Sequence, residues 1–389
     1  MKILILSDIC NADVFTLNYV KELKLKIDCS VDIFTSPIEK SEYINQFIHY
    51  FDNIYEICSN DKETVIDYIP KIRGYFHMKK LIHQFNKLDN YDIIHIFFLS
   101  RKYVFFAKEI LRKCKKLVIS INGSDFYRTK WGEKIIQYPI IKYADRITFT
   151  NKQTLEEFSK YFKNIDKDKL KIKGFGSAPL EILRNIEHIS KKECKASFNI
   201  PVNTLVVTCG YSAVVANQHI SIIKSIENIK YKLPANILFI FPFTYGFNRE
   251  YFLKVKDLLN KSNLNYRVLT DFLSDYEVAQ LRKASDIMIN LPISDQLSAS
   301  MQEYLYTENI VITGEWLPYR ILEEKGIFML KVSSVGEVGE KLLYSVNNLR
   351  NLKESCKGNS QIILDISRWD KNINDWIDMY LEILRDEIL

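Results

Sequence analysis

The chain has 389 residues, 47% hydrophobic and 26% charged, with a net charge of +6. This length is too great for one ordinary core and calls for two domains, while the composition excludes a disordered chain and the mild positive excess permits an anionic partner without demanding one. Seven cysteines (Cys10, Cys29, Cys58, Cys114, Cys194, Cys209 and Cys356) form no CxxC pair and are odd in number, which predicts a reduced, cytoplasmic protein without a disulfide frame or zinc site.

The opening "MKILILSD" is too short an apolar run for a signal peptide, and no run of eighteen apolar residues predicts a membrane span. Apolar strand-like runs follow at "KILILS" (2–7), "VDIFTS" (31–36), "DIIHIFF" (92–98), "KLVISING" (116–123), "DRITFTN" (145–151) and "LKIKGFG" (170–176). Helical patterns such as "TLNYVKELK" and "KYVFFAKEILRKC" lie between most of them. Strands alternating with helices predict a parallel sheet covered on both faces.

The alternation pauses over 174–200 and resumes with "TLVVTCG" (204–210), "ANILFIFP" (235–242), "YRVLT" (266–270), "SDIMINLP" (285–292) and "NIVITG" (309–314). The reading is α/β: two doubly wound, Rossmann-like domains, 1–185 and 186–365, facing a cleft. Residues 366–389 form an amphipathic tail helix with Trp369, Trp376, Tyr380 and Ile383 on its apolar face. Open parallel sheets bind ligands beyond the carboxyl ends of their strands, and clefts between domains are the usual place for small-molecule chemistry.

The stretch "SDQLSASMQEYL" (294–305) joins a predicted strand to a predicted helix, with Asp295 and Glu303 separated by seven residues. Two readings stand. Ser300 and Glu303 have capping-box spacing and could serve only the helix end. Alternatively, the helix N-terminus receives a phosphate or diphosphate, the small residues Ser298, Ala299 and Ser300 let the backbone approach it, and the two carboxylates accept hydroxyls on either side. That second arrangement suits a sugar–diphosphate–ribose.

Here the chain resembles the retaining GT-B glycosyltransferases with a Glu-x7-Glu motif, the family 4-like class. Asp295 replaces their first Glu, and Glu303 matches the second. "NGSD" (122–125) is similar to their "HGSD" turn, and "YADRITFTNKQTLEEF" and "SRWDKNINDWIDMY" resemble further segments of the fold. "TCGYSAVVANQHISIIKSI", "FPFTYG" and "ITGEWLPY" are closer to bacterial surface-polysaccharide enzymes, including Fuc4NAc-transferase-like ones, which are assigned as inverting. The resemblance implies that 1–185 binds the acceptor, 186–365 binds the nucleotide-sugar, and 366–389 crosses back to the first domain. It implies that Asp295 contacts the donor sugar and Glu303 the ribose, that the donor is a nucleotide-sugar (a UDP-sugar above others), and that the acceptor is a glycan carried on a polyprenyl diphosphate.

The chain departs from that class after the first strand of its second domain. An Arg and a Lys that neutralise the donor diphosphate are replaced by Gly210-Tyr211 and by Asn217-Gln218-His219. Ser212, His219 and backbone N–H groups are the candidate phosphate ligands there, with Arg249 and Arg320 as replacement cations. Tyr245 and Gly246 close a strand-end turn suited to approach a donor. Trp316, Pro318 and Tyr319 form an aromatic loop beside it.

Transfer requires stabilisation of the leaving diphosphate, a held sugar and deprotonation of the acceptor. The expectation is metal-independent transfer, with no cofactor. With retention, the leaving phosphate takes the acceptor proton; with inversion, Asp13 or Asp125 is the candidate base, each also readable as a helix cap or turn former. His95, inside an apolar run, reads as a core histidine. The basic, aromatic segments 69–88 (Lys71, Arg73, Lys79, Lys80 and Lys87 among Ile72, Phe76, Leu81, Ile82 and Phe85) and 101–116 read either as membrane-surface elements or as helices covering the sheet. The expected location is the cytoplasm, at the inner membrane face if the acceptor is lipid-linked. Two other readings remain: a nucleotide-sugar-binding module without catalysis, and a nucleotide-sugar epimerase of GT-B shape. No nucleic-acid motif is present.

Overall fold

The computed structural model describes residues 1–8, 14–38, 41–57 and 70–385, with the side chains of 70–77 outside that description. Asp13, and the side chains of Lys71, Ile72, Arg73 and Phe76, therefore lie outside the described residues. The chain divides into two compact units, Met1–Phe175 with Trp369–Leu389, and Gly176–Arg368. The expected boundary at 185 moves back ten residues. The helix Ala178–Asn185 belongs to the second unit, because Leu180 and Leu183 are buried in that unit's core with Met301, Tyr304 and Leu305.

The first unit is built on β1 (Lys2–Leu6), β2 (Ser30–Thr35), β3 (Asn53–Glu56), β4 (Tyr91–Ile96), β5 (Cys114–Ser120), β6 (Arg146–Phe149) and β7 (Leu170–Ile172). The order is β3-β2-β1-β4-β5-β6-β7, with every pairing parallel. The strands were legible because β1, β2 and β4 are almost wholly buried and β5 is buried over 117–120, which demands continuous apolar runs. β3 was not read from the sequence. It is an edge strand with both ends exposed, so "NIYE" carries little apolar signal. The helix Trp369–Arg385 buries Trp369, Ile373, Trp376, Tyr380 and Ile383 in the same core as β1 and β2. Its Trp376 indole donates to Gly174 O at 2.8 Å, and Asn372 donates to Phe175 O at 2.8 Å.

The second unit contains β8 (Leu205–Cys209), β9 (Ile237–Pro242), β10 (Tyr266–Leu269), β11 (Ile287–Asn290), β12 (Ile310–Gly314) and β13 (Leu330–Val332). Their order is β10-β9-β8-β11-β12-β13, again parallel throughout. Each sheet is wound outward in both directions from its middle. The order reverses between β1 and β4 in one and between β8 and β11 in the other, and the crevice beyond the strand ends at such a point is where doubly wound sheets take ligands. Cys29, Cys114, Cys194, Cys209 and Cys356 are free thiols. Among the described residues no helix is long and apolar enough to cross a membrane.

Candidate functional site

In the second unit the candidate residues converge at the β8/β11 reversal. After β8 the chain turns at Gly210, φ +69°, through Tyr211 and Ser212 into the helix His219–Glu227. A Cβ on Gly210 would sit 2.7 Å from His219 Nε2 and 3.3 Å from Asn217 Cβ, so only glycine fits both the dihedral and the space. The loops after β8 and β11 are bonded to each other. Ile293 N donates to Ala216 O at 2.9 Å, and Gln218 Nε2 donates to Leu291 O at 2.7 Å. The turn after β9 joins them, Ala213 N donating to Tyr245 O at 2.9 Å. Gly246, φ +69°, lies against Val214, where a Cβ would come within 2.6 Å.

The helix after β11 is Ala299–Tyr306, and its cap is Ser298, whose side chain accepts from Met301 N at 3.2 Å. Ser300 instead lies in the first turn and accepts from Arg282 Nη2 at 3.0 Å. The capping-box reading therefore fails: the residue three after the true cap is Met301. Glu303 is 4% exposed. Its Oε1 accepts from Ser177 Oγ at 2.7 Å, and its Oε2 from Arg282 Nε at 3.0 Å. Arg282 also donates to Tyr304 Oη at 3.0 Å and lies over that ring, 4.5 Å from its centroid. Burial pulls the Arg282 pKa down, but Tyr304 and Glu303 beside it more than offset this and hold it above its ordinary value. Asp295, half-buried at the start of the loop, accepts the Gln296 N–H at 2.7 Å and the Tyr319 hydroxyl. Tyr319 in turn accepts from Asn290 Nδ2 at 3.1 Å.

The other named residues divide. Tyr245 bonds with the fully buried Ser212 and feels the charges of Arg282, Glu303 and Asp295. Burial pushes its hydroxyl up to about 12, so it remains a donor. His219 is fully buried beside Phe243, its Nδ1 3.2 Å from Tyr251 Oη, and burial lowers its pKa to about 3. It meets the Gly210 turn from below as a neutral ring, not as a cation at the surface. Its Nε2 and Asn217 Oδ1 are buried polar atoms without a partner at the floor of that turn. Arg249 is the exposed first residue of the helix Arg249–Ser262. Arg320 is exposed and paired to Glu324, 2.8 Å away on its own helix. Neither joins the hydrogen-bonded cluster. Trp316 is locked in place by its indole, which donates to Pro292 O at 2.8 Å.

In the first unit, Asp125 is 4% exposed. Its Oδ1 accepts from Asn122 N at 2.9 Å and its Oδ2 from Leu99 N at 3.2 Å, tying the loops after β4 and β5 together. Burial raises its pKa to about 6 against these backbone donors. This is the geometry of a turn former, not of a base open to an acceptor. His95 is the core histidine expected. Its Nδ1 meets Tyr380 Oη at 2.5 Å and its Nε2 meets Ser120 Oγ at 2.7 Å, and burial lowers its pKa to about 3. In segments 69–88 and 101–116, Leu81, Phe85, Tyr103, Phe106 and Ile110 are buried in the core under the sheet, while Phe105 is exposed. At the β1/β4 reversal, Asp8 pairs with Lys102 and accepts from Ser36 Oγ at 2.7 Å. Among the described residues no group of three or more His, Cys, Asp or Glu is placed to hold a metal ion.

Sequence reasoning missed Arg282, Ser177 and Asn290 in the second unit, and Asp8 in the first. Arg282 left one signal: it follows Ala279 at helical spacing on the face that packs inward.

Residues 2–151 match the family model described as glycosyl transferase 4-like. No curated protein matches the chain. In fold it is similar to a glycosyltransferase from Rickettsia africae, at 15% identity over 98% of each chain with a TM-score of 0.72. It is similar to sucrose-phosphate synthase from Thermosynechococcus elongatus at 12% identity, over 99% of this chain and 100% of that one, with a TM-score of 0.75. It is also similar to Anabaena HepE in complex with UDP and glucose, at 12% identity over 98% and 99% of the two chains, with a TM-score of 0.72. The two parallel, Rossmann-like sheets are those of the GT-B fold. The match to the glycosyl transferase 4-like model falls within the first unit.

Proposed function

We propose that the chain transfers a sugar from a nucleoside-diphosphate donor, a UDP-sugar, to a lipid-linked glycan in bacterial surface-polysaccharide synthesis, without a metal and with retention of configuration. The observation that carries this is the placement of Asp295 and Glu303 on either side of the first turn of 299–306, at the β8/β11 reversal. The free N–H groups of that turn and its dipole suit a diphosphate. Asp295 would hold the transferred sugar, with Tyr319 fixing its carboxylate. Glu303 retains lone pairs for ribose hydroxyls while Ser177 and Arg282 hold it. The orphaned Asn217 Oδ1 and His219 Nε2 offer an acceptor and a ring nitrogen to whatever occupies the Gly210 turn. HepE, in complex with UDP and glucose, and in another structure with UDP-glucose, supports the donor class.

A second reading, a nucleotide-sugar-binding module without catalysis, is favoured by one observation. Arg249 and Arg320 stand outside the hydrogen-bonded cluster and His219 is neutral, which leaves the buried Arg282 as the cation within it.

The test is a thermal-shift panel with UDP, GDP, dTDP and CMP, each with and without Mg²⁺, on the wild type and Glu303→Gln. Ligand at a hundred times its Kd adds about 2.7 kcal/mol of stability. A Mg²⁺-independent shift with UDP, lost in Glu303→Gln, is expected. No shift with any nucleotide would overturn the donor assignment. A UDP shift without turnover of any UDP-sugar would favour the second reading.

A further inference from the structure

The helix Trp131–Tyr143 in the first unit is apolar on two sides. Its inner side buries Gln137, Ile140 and Ile141. Its outer side exposes Trp131 at 73%, Ile135 at 50%, Ile136 at 45% and Tyr143 at 61%, with exposed Pro139 between them. At 3.6 residues per turn these five fall within about 140° of one another, an apolar stripe along the helix into whose last turn exposed Lys142 projects. A helix apolar all round belongs in an interior, and an exposed apolar patch of this kind marks an interaction surface.

Its charge indicates the partner. Between residues 128 and 142 stand Arg128, Lys130, Lys134 and Lys142 against one acid, Glu133, which is paired to Arg101. Lys134 lies over the rings of Phe126 and Tyr161, 4.1 and 4.4 Å from their centroids, and exposed Lys160 and Lys163 extend the positive border. An open groove of about 570 Å³ runs beside the stripe, lined by Trp131, Lys134, Ile135, Tyr138 and Lys163 among others.

We infer that the outer face of this helix docks on an anionic lipid bilayer, with the Trp131–Tyr143 stripe in the headgroup boundary and the lysines on acidic headgroups. Tryptophan and tyrosine favour that boundary, an amphipathic helix with a basic border lies flat in it, and each lysine near an anionic leaflet strengthens binding by about fivefold. Segments 69–88 and 101–116 bury Leu81, Phe85, Tyr103, Phe106 and Ile110 and leave Phe105 exposed, so the larger apolar surface is that of 131–143, and the contact is proposed there. The inference deepens the reading of a lipid-linked acceptor, yet it stands on a surface apart from the donor cluster.

The test is sedimentation of the full chain with phosphatidylcholine vesicles, with and without phosphatidylglycerol, following tryptophan emission. Binding only to the phosphatidylglycerol vesicles is expected, weakening with added salt. An emission blue shift should accompany it and vanish in Trp131→Phe, since Trp369 and Trp376 are already buried and Trp316 stands in the second unit with its indole bonded to Pro292 O. Ile135→Glu should cut binding about tenfold while leaving the melting temperature and any UDP shift unchanged. Failure to bind acidic vesicles, or binding that ignores Ile135→Glu, would overturn the inference. So would a dimer in sedimentation velocity that Ile135→Glu dissolves without any lipid binding, because the stripe would then face a second copy. Vesicle binding without a nucleotide shift, or the reverse, separates this inference from the donor assignment.

Discussion

Arg282 and Glu303 set the most exacting local demand, since their side chains are 7% and 6% exposed. Removing one partner leaves the other as a buried, uncompensated charge. Arg282→Met should therefore cost about 3–5 kcal/mol in urea unfolding, with Arg282→Met/Glu303→Gln recovering part of it. A double-variant cost equal to the sum of the two single costs would mean that the two do not act as a pair. The buried histidines make a second demand. His95 and His219 are held neutral by burial, at about 3 against an unfolded value near 6.5. Their folded pKa values are depressed, so the stability they carry is present above pH 6.5 and is lost as pH falls towards 3. Each contributes a slope of up to about 1.4 kcal/mol per pH unit in that window. Asp125, raised to about 6, works in the opposite sense between pH 6 and 4. His95→Gln, which keeps a donor and an acceptor, should flatten the acid limb by about one proton in a urea titration at several pH values. An unchanged limb would contradict a neutral His95.

At the scale of elements, two glycines in different settings predict opposite effects. Gly210 turns at φ +69° against a packed imidazole, so Gly210→Ala should cost about 1–3 kcal/mol from the dihedral alone, and more from the clash. Gly132, inside the helix Trp131–Tyr143, has nothing within 4 Å of where its Cβ would be, so Gly132→Ala should gain about 0.5–1 kcal/mol. Thermal unfolding of both checks the pair. The helix Ala299–Tyr306 is capped by Ser298, so Ser298→Ala should cost about 1 kcal/mol. The serine at capping-box spacing, Ser300, was legible in the sequence as a cap, but the chain begins its helix two residues earlier, after Ser298, and gives Ser300 to Arg282. Sequence spacing alone leaves the cap open among several serines. The guanidinium that arrives from residue 282, on a different helix, settles it.

For the whole molecule, the two units have separate cores, and the first is closed by a segment far along the chain. Trp376, Tyr380 and Trp369 form part of the core over β1 and β2, so truncation after residue 368 should leave the first unit unfolded or aggregated. The fragment 176–368 carries its own clusters and should fold alone, with a cooperative thermal transition in circular dichroism. A folded first unit without the final helix would contradict this reading of its core.

The sequence by itself determined the α/β class, the doubly wound character of both units, most of the strands, and the apolar face of the final helix. Buried parallel strands and amphipathic helices write their periods directly into the chain. It also marked Asp295 and Glu303, because their spacing across a strand-to-helix turn is local. Only the tertiary structure decided the strand order and so the reversal at β8 and β11, since pairing between distant strands leaves no local trace. Tertiary contacts alone revealed that Arg282 and Ser177 hold Glu303, that Asp125 is taken up by backbone donors, and that His219 is neutral. They also left the outer face of 131–143 uncovered. Each of these depends on what packs against a side chain from elsewhere in the chain, and burial of that kind is a property of the fold, not of the neighbouring sequence.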